Sequence, residues 1–154
     1  MVCLGNICRS PLAEGILKKK IRENHFDWEV DSAGTESYHT GETPHPLSQK
    51  TALQHGVDIS LHRARRFTKS DLEKFDKIYA MAKDAYKEME SIAGKNTYMK
   101  KVDLLMNEVS PGKDLSVPDP WYGGREEFQQ AYKLIDAACD QIIFKYGSKN
   151  TFRT

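Results

Sequence analysis

The chain has 154 residues, 39% of them apolar and 29% charged, enough for one domain whose core needs neither disulfides nor metals. A formal charge of +1 argues against an obligate nucleic-acid binder, and no apolar run reaches the length of a membrane span. Three cysteines, odd and few, exclude a secreted disulfide scaffold, and no charged-then-apolar leader opens the chain, so the cytoplasm is the expected location. The local basic runs, KKKIR at Lys18–Arg22 and LHRARRFTK at Leu61–Lys69, read as solvated faces.

In chain order, Ser10 and Pro11 predict a helix start, the serine as cap and the proline in the first turn. Ala13, Ile16, Leu17 and Ile21 recur at helical spacing, and the helix is expected to end near Asn24. WEVDSAG (Trp28–Gly34) reads as a strand, and the turn-forming residues of Glu36–Pro46 as a loop. A second helix spans Leu47–Gln54, with Gly56 suited to a left-handed terminus. Phe75–Met81 is a strand, Asp84–Ala93 a helix, Lys101–Met106 a weaker strand and Ser110–Gly124 a loop broken by prolines and glycines. Phe128, Ala131, Tyr132, Ile135, Ala138, Cys139, Ile142 and Tyr146 mark one apolar stripe of a final helix. Strands alternating with helices predict a parallel sheet covered on both faces, with its site beyond the carboxyl ends of the strands.

That is where Cys3 to Ser10 fall, between a strand end and a helix start. Five residues separate Cys3 from Arg9. A curl there turns successive backbone N–H groups inward as an anion-binding nest, and the helix N-terminus adds its own donors. Gly5 and Asn6 tolerate the left-handed backbone such a curl needs, and Arg9 offers a two-pronged grip on phosphate oxygens. A thiol in that field is expected to ionise readily, and the Cys3 thiolate at the floor of the cradle is a nucleophile aimed at phosphorus. Ser10 is placed to donate a hydrogen bond to the sulfur. The leaving group needs an acid, and Asp119, between Pro118 and Pro120, is the candidate, with Trp121 and Tyr122 as walls for a flat substrate ring. Taken singly, C-x5-R and D-P are weak patterns; together they are specific.

CLGNICRSPLAE with the distant DPWYGG resembles the low-molecular-weight protein-tyrosine-phosphatase family, and the likeness continues through DSAGT, HRAR and FDKIYAM. The resemblance implies one phosphatase domain over residues 1–154, an α/β fold with a four-stranded parallel sheet of order 2-1-3-4 and helices on both faces. It implies Cys3 as nucleophile, Arg9 as phosphate binder and Asp119 as general acid and then base, with turnover through a phosphocysteine and no metal or other cofactor. Leu4, Gly5, Asn6, Ile7, Cys8 and Ser10 would form the phosphate-binding loop. Asn6, Ser10, Ser32, His62 and Glu14 resemble a supporting network, although His62 also reads as a surface residue of the basic run. Tyr38 falls at a pocket-wall position. Cys8 resembles a cysteine that pairs with the nucleophile on oxidation in some members, and reads equally as a buried loop cysteine. The implied partner is a phosphotyrosine protein, with a tyrosine kinase as companion in bacterial members; no nucleic-acid or membrane partner is expected.

Two departures stand out. Met81 is followed by Ala82 where many members have an acid. The first strand has only Met1 and Val2 before the cysteine, so it is expected to be truncated, to leave its neighbours unpaired on both sides, and to gain stability and activity from an upstream extension. Three rival readings are a thioredoxin-linked arsenate reductase, a sugar-transport phosphocarrier and a non-enzymatic phospho-binding module. The first needs more downstream cysteines than Cys139, and Arg9 with Asp119 weighs against the second.

Overall fold

The computed structural model describes residues 1–94 and 97–150; the terminal four residues of the expected 1–154 domain lie outside the described residues. Four parallel strands, β1 (Val2–Cys3), β2 (Ala33–Gly34), β3 (Ile78–Ala80) and β4 (Val102–Leu104), stand in the order β2-β1-β3-β4. Five helices connect and cover them: α1 (Arg9–Glu23), α2 (Pro46–Gln54), α3 (Lys69–Lys74), α4 (Lys83–Ala93) and α5 (Arg125–Asn150). The expected topology is the observed one.

The sheet divides the core in two. Leu12, Ala13, Ile16, Leu17 and Ile21 of α1 meet Ala52 of α2 and the Ala131–Ile142 stripe of α5 on one face. Leu72 of α3 and Ala85, Met89 and Ala93 of α4 cover the other, over Val2, Ile78 and Val102. Each fully buried aliphatic side chain here is worth roughly 1.5–3 kcal/mol relative to exposure. No described helix is long and apolar enough to cross a membrane.

Several boundaries differ from the sequence expectation, each for a local reason. Helix α1 starts at Arg9 and ends at Asn24 as expected, but Ser10 does not cap it, because its hydroxyl lies against Cys3 and Asn6 inside the site. Helix α3 was not expected: it has only six residues and starts with Asp71 accepting from the Thr68 N–H at 2.9 Å. Leu105–Glu108 is a 3₁₀ turn that shortens the last strand.

The first strand is short but not unpaired. Val2 and Cys3 lie opposite Ala33 and Gly34, and Val2 also opposite Ala80. Ala33 N–H donates to the Met1 carbonyl at 3.0 Å and Met81 N–H to the Val2 carbonyl at 2.8 Å, so both neighbours are held at the site end. The expectation of unpaired neighbours is corrected there. It does apply further back: Trp28–Ser32 and Phe75–Lys77, expected as strand, carry no ladder because β1 does not run alongside them.

Candidate active site

The stretch from Leu4 to Cys8 leaves β1 and curls into α1. The carbonyls of Cys3, Leu4, Ile7 and Cys8 face outward, each to a donor on a surrounding element. Cys3 accepts from Thr35 N–H at 3.0 Å, Leu4 from Glu36 N–H at 2.9 Å and Ile7 from His45 N–H at 2.8 Å. Cys8 accepts from the Ser48 hydroxyl at 2.8 Å. Because a trans peptide sets its N–H opposite its carbonyl, the N–H groups of Leu4, Gly5, Cys8 and Arg9 turn to the inner side. The curl thereby becomes a ring of donors at a helix N-terminus. Asn6 takes the left-handed backbone, with φ 59°, while Gly5 does not. Gly5 is needed for closeness instead, since a Cβ there would sit 3.0 Å from the His39 ring.

Cys3 Sγ lies on the floor, buried, 3.0 Å from Ser10 Oγ and 3.2 Å from the Asn6 N–H that donates to it. Behind them runs a closed polar network. Asn6 Nδ2 donates to Ser10 Oγ at 2.8 Å and to Ser32 Oγ at 3.0 Å, and Ser32 donates to Glu14 at 2.7 Å. His62 is part of this network: Nε2 lies 3.1 Å from Asn6 Oδ1, and Nδ1 lies 3.6 Å from Glu14. The Arg65 backbone N–H donates to the same Asn6 oxygen at 3.0 Å, and its guanidinium is gripped by Asp31 and Asp71. Arg65, absent from the sequence expectation, ties the cradle to β2 and α3; the paired acids in DSAG and TKSD were its only trace.

Arg9 is buried, donates to the Val117 carbonyl at 3.0 Å and approaches Asp119 at 3.6 Å. Its buried Nε has no partner among the described residues, a donor left for an incoming oxygen. Asp119 is 45% exposed in its side chain, and its other oxygen accepts from Trp121 N–H at 3.0 Å. The acid is thus tied at the rim with its carboxyl still reachable from solvent.

Aromatic rings gather beside the cradle. Trp121 faces His39 at 5.5 Å and His45 at 5.4 Å between ring centroids, and His45 stacks on Phe128 at 4.9 Å. Tyr38 and Tyr122 are 82% and 95% exposed. Their neighbours in sequence, His39 and Trp121, lie against each other, with His39 held by Glu42 beside Gly5.

All three cysteines are free thiols. Burial, then the neighbouring Cys3 and Asp119, push the Cys8 thiol up to about 12, so it stays protonated beside its reactive neighbour. Burial in α5 likewise raises Cys139, which leaves it poorly suited to a disulfide relay. Among the described residues, no cluster of three His, Cys, Asp or Glu is poised for a metal ion.

Known proteins carry the same pattern. The sequence profile of the family described as "Low molecular weight phosphotyrosine protein phosphatase" matches residues 1–151. A human protein of that description is 35% identical, over 94% of this chain and 92% of its own length. A protein tyrosine phosphatase from Entamoeba histolytica superposes with a TM-score of 0.88 at 35% identity, covering 97% of this chain and 96% of its own. A Drosophila arginine phosphatase superposes with a TM-score of 0.86 at 34% identity, covering 94% of each chain. With sequence and fold agreeing over nearly the whole length, the chain belongs to the low molecular weight phosphotyrosine protein phosphatase family.

Proposed function

We propose that this protein hydrolyses phosphotyrosine on proteins through a phosphocysteine at Cys3, with Asp119 moving the protons and no metal. The observation that carries the reading is the convergence on one cradle of a buried thiol, a buried guanidinium with an unused donor, and a tethered carboxyl.

The substrate's nonbridging oxygens are held by the inward N–H groups and Arg9, which neutralise them as the transition state forms. The Cys3 thiolate attacks phosphorus; the P–S bond forms and the P–O bond to the tyrosine breaks. Asp119, protonated, gives its proton to the departing phenolate oxygen. In the second half, the Asp119 carboxylate takes a proton from water, whose oxygen attacks phosphorus. The P–S bond breaks, inorganic phosphate leaves, and Ser10 and the Asn6 N–H receive the thiolate charge again. The network of Asn6, Ser32, Glu14 and His62 touches no reacting atom in this scheme and serves to position. Trp121 and His39 flank the ring.

Turnover of p-nitrophenyl phosphate and of a phosphotyrosine peptide by the chain, abolished by Cys3→Ser, is the expected result. Full activity in excess chelator is expected as well. The arginine phosphatase relative makes phosphoarginine the informative second substrate. Faster turnover of it than of phosphotyrosine would contradict the substrate class while leaving the nucleophile in place.

A further inference from the structure

Among the described residues, the hydrogen bonds of residues 118–124 stay within that segment and the first turns of α5. Trp121 N–H donates to Asp119, Gly123 N–H to the Pro120 carbonyl at 2.8 Å and Gly124 N–H to Glu127 at 2.7 Å. What joins the segment to the rest of the site is side-chain contact: Asp119 near Arg9 at 3.6 Å, the buried Pro120, and the Trp121 ring against His39 and His45. The two imidazoles are held differently. His45 caps α2, its Nδ1 accepting from Leu47 N–H at 3.1 Å while its own N–H donates to the Ile7 carbonyl. Burial keeps it below its ordinary range, in the neutral form that accepting requires. His39 stands on a turn tied to buried Ala64 in both directions, by Gly41 N–H to the Ala64 carbonyl at 2.8 Å and Ala64 N–H to the Glu42 carbonyl at 2.9 Å. Its Nδ1 lies 2.5 Å from Glu42 Oε2, and a Cβ at Gly5 would meet its Cδ2 at 3.0 Å. A carboxylate on one nitrogen and the cradle backbone beside the opposite edge fix the ring where Trp121 meets it.

We propose that His39, clamped by Glu42, is a positioning residue for the general acid: through the Trp121 ring it holds Asp119 over the cradle. The inference rests on the phosphatase reading above and deepens it. Trp121 N–H binds Asp119 Oδ1 at 3.0 Å, so a shift of the tryptophan carries the carboxyl with it. The consequence is selective. Arg9 bonds Val117, which is anchored by its own N–H to the Met81 carbonyl at 2.8 Å, and the inward N–H groups belong to the Leu4–Arg9 curl. Phosphate binding thus stays in place when residues 118–124 loosen, while proton delivery to the departing oxygen does not. A displacement of about 1 Å at a catalytic group costs up to about 10²-fold in rate.

Two substrates separate proton delivery from phosphate binding: phenyl phosphate, whose phenolate needs a proton to leave, and p-nitrophenyl phosphate, whose nitrophenolate does not. His39→Ala should lower kcat/KM for phenyl phosphate about tenfold or more, and for p-nitrophenyl phosphate less than about threefold. Glu42→Ala, at an exposed position, should move the ratio of the two the same way by about threefold with Tm unchanged. Asp119→Ala should lose phenyl phosphate selectively, and adding His39→Ala to it should change the ratio no further. Equal losses on both substrates in the His39 and Glu42 variants would overturn the proposal. So would a further fall of the ratio when His39→Ala is added to Asp119→Ala. In either case a selective loss in Asp119→Ala alone leaves the phosphatase reading standing. An Asp119→Ala enzyme with the ratio unchanged would overturn both.

Discussion

The two ends of β1 are built to opposite standards. At the carboxyl end, the carbonyls of Cys3, Leu4, Ile7 and Cys8 find donors within 3.0 Å, and every polar atom of Asn6, itself buried, is engaged. At the amino end, two residues away, a charged nitrogen is buried beside an open slot and neighbouring strands run on without rungs. The contrast teaches that the Leu4–Cys8 loop is held in shape by what surrounds it, the turns after β2, the start of α2 and Arg65. The cradle is a local construction resting on a strand of two residues.

The sharpest way to break the contrast is at the loaded end. Cys3→Ser should lower kcat by about 10⁴-fold or more with no loss of Tm, since the hydroxyl keeps the bonds to Ser10 and Asn6 but attacks phosphorus poorly. Arg9→Lys should lower kcat/KM by about 10²–10³-fold, because an ammonium cannot serve Val117 and two phosphate oxygens from one plane. Steady-state kinetics on p-nitrophenyl phosphate, beside thermal unfolding, reads both. Asn6→Ala should cost about 3 kcal/mol in urea unfolding, from a left-handed backbone and several buried bonds. Asn6→Gly, which keeps the backbone freedom, should cost less, and the difference isolates the strain.

The smallest effect belongs to the other end. Burial lowers the Met1 amino group below its usual value of 8.0, so the unfolded chain binds the proton more tightly. Stability should therefore rise as the pH is raised toward about 8 and flatten above it. Urea unfolding at several pH values should show this slope for the free amino terminus and its disappearance after N-terminal acetylation. An unchanged slope on acetylation would contradict the burial of the charge.

Much of this was legible in the residues. The apolar stripe of α5, the periodicity of α1 and the alternation of elements define the layers and the strand order follows from the family likeness. Cys3, Asn6, Arg9 and Ser10 lie within one continuous stretch, so their convergence needs only a single curl. The strand limits were not legible, because Trp28–Ser32 has strand composition but forms no ladder, and pairing is not written in a segment's own composition. His39 and Arg65 escaped for a related reason. Their roles come from contacts to Gly5, Trp121, Asp31 and Asp71 made across the fold, and an imidazole in a turn-rich loop or an arginine in a basic run carries no mark of them. Tyr38 shows the converse: its position suggests a wall, but its side chain is exposed, while His39 next to it is held by Glu42.

The central claim is a covalent phosphoryl group on one sulfur, released by one carboxyl. It is tested most directly by mixing Asp119→Ala with p-nitrophenyl phosphate, quenching in acid and mapping the modified peptide by mass spectrometry. A phosphoryl adduct on Cys3, absent from Cys3→Ser, is the predicted result, because nitrophenolate leaves without an acid while water no longer meets a base. An Asp119→Ala enzyme that turns over with no adduct, or an adduct on Cys8 with Cys3 untouched, would contradict it.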